Sequence, residues 1–153
     1  MQRFLFTIIV IMTLFLTACE PLEDDHLQVG NDEYELVIED VKVQAETLFD
    51  EHPDGMQLLI ISIQLTNQTE HSLTLTPSLQ FYLEDEFLTL HDSDPIVSVD
   101  TPFVRSLPPC ESVSGELAFF VPIDSKSFTF IFEPSINEPA RLRIDFTLDT
   151  FLD

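Results

Sequence analysis

The chain has 153 residues, room for one domain. With 44% hydrophobic residues and 14 phenylalanines it is not a disordered chain, and only 3 glycines exclude collagen-like repeats, Gly/Ser arrays and a Gly-rich phosphate loop. Six Lys and Arg against 28 Asp and Glu give a net charge of -22, a field that repels nucleic acid and anionic lipid headgroups, so DNA and RNA are set aside as partners.

Residues 1–3 are a short basic start, and residues 4–16 (FLFTIIVIMTLFL) are an uncharged apolar run ending in the small pair Thr17-Ala18. That is the build of a signal peptide. A spanning helix needs about 20 apolar residues, and this run stops before Glu20 and Glu23-Asp24-Asp25, so an uncleaved anchor is the lesser reading. Leu16-Thr17-Ala18-Cys19 resembles the bacterial lipobox. The resemblance implies that residues 1–18 are removed and that the Cys19 thiol carries diacylglycerol, a thioether that needs a soft sulfur nucleophile. A plain secretory signal followed by a chance cysteine is the competing reading. Loss of Arg3 leaves five basic residues against 28 acidic ones, a side-chain balance of -23. Two acyl chains, at about 0.8 kcal/mol per buried CH₂, hold such a body at a membrane surface that repels it. The expected location is the cell membrane, lipid-anchored and facing the extracytoplasmic side. Cys110 then has no intramolecular partner, and stability must come from packing.

Residues 19–32 (CEPLEDDHLQVGND) read as an acidic, self-repelling linker, which spans at most about 45 Å. From residue 33 to 153 the chain reads as one domain of short strands. Residues 34–43 alternate, with an interruption at Glu39-Asp40 that predicts a bulge. Residues 57–65 (QLLIISIQL) form the most apolar strand, expected at the centre. Strands follow at 72–76, 80–83 and 87–90, the last two joined by a Glu84-Asp85-Glu86 turn. Residues 112–121 and 127–133 form a further adjacent pair across Pro122-Ile123-Asp124, and 141–148 closes the series. No stretch makes an amphipathic helix longer than two turns. The pattern predicts an all-β antiparallel sandwich.

Leu65-Thr66-Asn67-Gln68-Thr69, Leu73-Thr74-Leu75-Thr76-Pro77, Phe81-Tyr82-Leu83 and the run from Leu107-Pro108-Pro109-Cys110-Glu111 to Val121-Pro122 resemble the immunoglobulin-like domain of unknown function common in Gram-positive lipoproteins, also called telomeric-repeat-binding-factor-like or immunoprotective-antigen-like. The resemblance covers about Tyr34 to Phe146. It implies an immunoglobulin-like β-sandwich at the cell surface and supplies no catalytic residues. Two departures stand out: Cys110 replaces the family's turn glycine, and Glu84-Asp85-Glu86 lacks a hairpin glycine. With no Trp, the Cys…Trp…Cys core of antibody domains is absent.

Chemistry is sparse. There is no G-x-S-x-G, H-E-x-x-H or CxxC, and His26, His52, His71 and His91 stand singly. His91, Asp92 and Asp94 are weak metal candidates on one loop, for which a polar loop before Pro95 is the plainer reading, since the spacing matches no EF-hand or zinc pattern. Residues 50–55 read as a turn, and Asn67-Gln68-Thr69, although a glycosylation sequon, reads as the family's turn. Phe119-Phe120 and Phe128-Thr129-Phe130-Ile131-Phe132 belong to the core on one face, and an exposed strip on the other would mark a partner site. The acidic balance is read as a habitat adaptation that keeps a secreted domain soluble, with loose cation binding as its functional version. The expectation is a non-enzymatic binding or envelope accessory module, without cofactor beyond the Cys19 lipid, held at the membrane by its anchor and open to a protein partner. The alternative is a cation-binding domain or cation-dependent enzyme centred on His91, Asp92 and Asp94. Cys110 is expected exposed, unpaired and non-catalytic, in a turn that prefers φ > 0.

Overall fold

The computed structural model describes residues 27–44, 53–95, 99–103, 106–135 and 141–151. Cys19, His26, His52 and Glu23-Asp24-Asp25 lie outside them.

Alternation builds the longest strands. In β2 (Tyr34–Gln44) Tyr34, Leu36 and Ile38 are buried in turn, the register shifts between Ile38 and Asp40, and Val41 resumes the inward face. The expected interruption is thus a bulge, which restores the inward set after one unpaired residue. β3 (Met56–Asn67) lies between β2 and β8 (Ser112–Pro122), antiparallel to both. Leu59, Ile61, Ile63 and Leu65 are fully buried, and Leu58 is buried on its other face, as its unbroken apolar run requires. β1 (Leu27–Gly30) pairs with the outer edge of β2, Leu27 opposite Ile38 and Gly30 opposite Glu35. The sandwich therefore begins inside the stretch read as linker: Leu27 and Val29 pack against the core, a two-residue apolar signal too short to register as periodicity.

The second sheet has the order β10 (Leu142–Thr147), β9 (Ser127–Phe132), β5 (Phe81–Asp85), β6 (Leu90–Asp92). β4 (Leu73–Thr74) and β7 (Ser106–Leu107) form a small separate ribbon, and one helical turn, Pro77–Gln80, with proline at its start, leads into β5. Two expectations are corrected. β8 and β9 are not partners: β8 pairs with β3, β9 with β5 and β10, so residues 123–126 carry the chain from one sheet to the other. Alternation in both strands is the same for either arrangement, and the crossover is the one an immunoglobulin-like Greek key makes. Phe87, Leu88 and Thr89 do not belong to a strand, because β5 runs on through Glu84 and Asp85 and the turn falls after them.

The two sheets close on a phenylalanine core. Phe81 stacks on Phe132 at 5.0 Å and lies 5.5 Å from Phe103, while Tyr34 meets Phe132 edge-on at 5.6 Å and Phe119 meets Phe130 edge-on at 6.0 Å. These contacts tie β2, β5, β8 and β9 together without tryptophan or disulfide. Phe103 reaches Phe81 by passing over Gly115, where an added Cβ would stand 2.5 Å from its ring, so glycine is required by close approach. The Phe119 and 128–132 aromatics are spent on this core and leave no exposed aromatic strip: Phe120 is half-buried and Ile131 buried.

Candidate functional site

The most unusual surface is the turn between β5 and β6. Asp85, at the end of β5, is buried, and its Oδ1 accepts hydrogen bonds from the Phe87 and Thr89 amides, each at 2.9 Å. Its Oδ2 meets His91 Nε2 at 3.0 Å, and its own backbone exchanges bonds with Leu88 and Thr89. Burial pushes the Asp85 carboxyl up, but the His91 hydrogen bond and the two amides outweigh it and hold the group below the ordinary carboxylate value. This brace forces Leu88 into the left-handed region at φ 63°, at a cost of roughly 1–2 kcal/mol for a residue with a Cβ. The result is a fixed tip that presents apolar side chains to water: Phe87 is 70% and Leu88 78% exposed.

Other features share this end. The Lys126 amide donates to Glu86 Oε1 at 3.2 Å, joining the tip to the β8–β9 crossover, where Ile123 is 57% exposed. Leu27, the first described residue, lines a shallow cleft of ≈ 500 Å³ together with Leu88, Glu86, Phe128 and Phe146. Strain and exposed apolar area thus fall together in one turn.

The metal candidates do not assemble. On β6 successive side chains alternate, so His91 turns inward to Asp85 while Asp92, paired opposite Tyr82, is exposed. Asp94 lies beyond the strand and its amide is bonded to Ala118 O. Among the described residues no group of three His, Cys, Asp or Glu stands close enough to hold a metal ion. Sequence reasoning placed Asp85 in a turn and missed it as the turn's organiser; the available signal was an acidic residue at a strand end before two bulky apolar residues with no glycine to relax the turn.

The opposite end is braced as well. Asn67, fully buried, donates through Nδ2 to the carbonyls of His71, Leu107 and Pro108, and its Oδ1 accepts from the Thr69 amide and hydroxyl. The sequon is therefore structural. Cys110 is exposed at φ 57°, as a turn position that favours glycine predicts. Between the ends, Glu116 accepts from the Asp100 and Thr101 amides and from Lys42, which keep its carboxyl low despite the upward push of burial. That contact holds the loop carrying Phe103.

Residues 25–141 match the family described as Domain of unknown function (DUF4352). The chain belongs to this family. The DUF4352 fold recurs in solved structures of low identity: the candidate lipoprotein ycdA of Bacillus subtilis is 19% identical with a TM-score of 0.66, over 79% of this chain and 38% of that one. A functionally unknown protein of Listeria monocytogenes aligns with a TM-score of 0.56 at 12% identity over 78% and 80% of the two chains. MPT63, a secreted protein of Mycobacterium tuberculosis, aligns with 0.51 at 14% identity over 68% and 82%. The chain thus spans well under half the length of ycdA. Among proteins with curated descriptions none matches.

Proposed function

We propose that the mature DUF4352 protein is a lipid-anchored module on the extracytoplasmic side of the cell membrane, acting by binding or as an envelope accessory and not by catalysis. The observation that carries this reading is Leu16-Thr17-Ala18-Cys19 at the end of an apolar signal run, followed eight residues later by the first strand of a folded domain. The descriptions of ycdA as a candidate lipoprotein and of MPT63 as secreted support it. So does the use of three polar side chains: Asp85, Asn67 and Glu116 each hold backbone amides or carbonyls and so organise loops. The telomeric-repeat-binding-factor-like and immunoprotective-antigen-like names belong to the same proposal, and the charge of -22 turns such a domain away from DNA.

The test is chemical. Expressed as the full chain in a lipoprotein-processing bacterium and fed labelled palmitate, the protein incorporates label, and mass spectrometry places the thioether on an N-terminal Cys19. Cys19→Ala loses the label and stays uncut or leaves the membrane by another route. An unmodified Cys19 in stably membrane-bound protein, or mature protein in the cytoplasm, overturns the reading. Calorimetric titration with Ca²⁺, Zn²⁺ and Mn²⁺ addresses the cation-dependent alternative, which requires heat or a raised melting temperature.

A further inference from the structure

The geometry points to a second, weak membrane contact at the hairpin tip: Phe87 and Leu88, with Ile123 of the crossover that the Lys126–Glu86 bond joins to the tip, dip into the interfacial zone of the bilayer to which Cys19 is tethered. The inference rests on the lipid-anchored reading and adds an orientation to it.

Two observations choose this occupant. The chain enters the sandwich at Leu27, which lines the same cleft as Leu88, so the tether and the exposed apolar tip belong to one end of the molecule. From Cys19 to Leu27 the chain is eight residues, at most about 28 Å fully extended, which keeps that end near the bilayer. The second observation is shape. A stable protein partner needs about 800 Å² of matched surface per side, whereas the tip offers three protruding side chains flanked by Glu86, Asp124 and Lys126. Such a projection suits a fluid interface that flows around it. Insertion this slight has little affinity of its own, but the tether converts it into an intramolecular event at high effective concentration. The flanking carboxylates set its preference: neutral headgroups are favoured, and anionic lipid weakens the contact.

The composition supplies a clean probe, because the chain has no Trp. The substitution Phe87→Trp places a single indole at the tip, and Leu79→Trp places one on the exposed helical turn before β5, beyond the end of β5 remote from the tip. Purified lipidated protein of each variant is reconstituted into phosphatidylcholine vesicles, with and without phosphatidylglycerol, and with brominated lipids as quenchers. The expected result is blue-shifted emission and bromolipid quenching for Phe87→Trp only, reduced when phosphatidylglycerol is added. Protein that carries the Cys19 thioether and floats with vesicles, yet keeps water-like emission in Phe87→Trp, overturns the inference while leaving the anchor standing. Equal quenching of both variants means that the domain lies flat and overturns it too. A shift that depends on protein density but not on bromolipid assigns the tip to a second copy of the chain. Absence of the thioether overturns the anchor and this inference together.

Discussion

At one end of the sandwich Asp85 braces residues 86–89, and at the other Asn67 braces the 68–71 turn and the 107–108 carbonyls; each end also holds a non-glycine residue in the left-handed region, Leu88 at φ 63° and Cys110 at φ 57°. Geometry is shared and chemistry is not. Asn67 has donors as well as acceptors and satisfies carbonyls and amides without charge, so its brace is indifferent to pH. Asp85 accepts only, and its carboxylate strengthens each bond it receives while making the turn dependent on ionisation. The charged brace carries the exposed apolar tip, and the neutral one closes a loop cluster in which the sequence departs from glycine.

The largest effect is expected where the comparison is most lopsided. Asn67→Ala takes the Nδ2 donor from the Leu107 and Pro108 carbonyls and the Oδ1 acceptor from the Thr69 amide, and empties a fully buried site, and the expected loss is about 3 kcal/mol, read as a shifted urea midpoint at unchanged slope. A loss below about 1 kcal/mol would mean that the 107–108 carbonyls find other donors and that the two ends are not equivalent braces.

Asp85→Asn sharpens the contrast. It keeps the shape and removes the charge, so the expected cost near neutral pH is about 1–2 kcal/mol. Sign matters here: the folded carboxyl lies below its ordinary value of 3.8, so its contribution is complete above that value and is lost as pH falls through the folded one. His91 is the titratable group in direct contact with it. The stability gap between wild type and Asp85→Asn should hold steady at neutral pH and close in acid, whereas the gap for Asn67→Ala should stay flat. Parallel gaps for both variants would show that the Asp85 charge is not what holds the tip.

Much of the sandwich was legible because burial on one face writes itself as alternation: β2 with its bulge, the central β3, and β10 with Leu142, Ile144 and Phe146 inward are visible as patterns of period two. Pairing was not legible. Alternation says which face is buried and nothing about which strand lies alongside, so β8 and β9, adjacent in the chain, were paired when the crossover separates them. The tip was hidden for a related reason. Phe87, Leu88 and Leu90 are an apolar run that a hydrophobic pattern assigns to a strand, and it is a local side-chain brace, Asp85 Oδ1 on the Phe87 and Thr89 amides, that makes residues 86–89 a turn. Cys110 was readable, since a family glycine at a turn implies positive φ whatever residue replaces it.

Relief of strain gives a smaller effect, equal at the two ends. Leu88→Gly and Cys110→Gly each remove a Cβ from a left-handed position, which gains roughly 1–2 kcal/mol locally, and each adds chain entropy to the unfolded state, which returns about 0.4–1 kcal/mol. A net stabilisation of about 0.5–1 kcal/mol is expected for both. If Leu88→Gly destabilises while Cys110→Gly stabilises, the Leu88 side chain holds the tip through contacts in the cleft with Leu27 and Phe128, and the symmetry between the ends is broken.

The smallest effect concerns the thiol. Cys110 is exposed, its Sγ lying 4.0 Å from Thr69 O at the edge of the loop cluster, and among the described residues it is the free cysteine. A side chain that touches so little contributes little, so Cys110→Ser should leave stability within about 0.5 kcal/mol of wild type, since serine keeps the same left-handed Cβ penalty. Reactivity should change completely. In the domain beginning after Cys19, titration with an aromatic disulfide under native conditions should label one thiol per chain, and mild oxidation should give a dimer that reductant reverses, both abolished in Cys110→Ser. Labelling only after denaturation would place the thiol inside the loop cluster, and the cluster at this end would then rest on a packed sulfur as well as on Asn67.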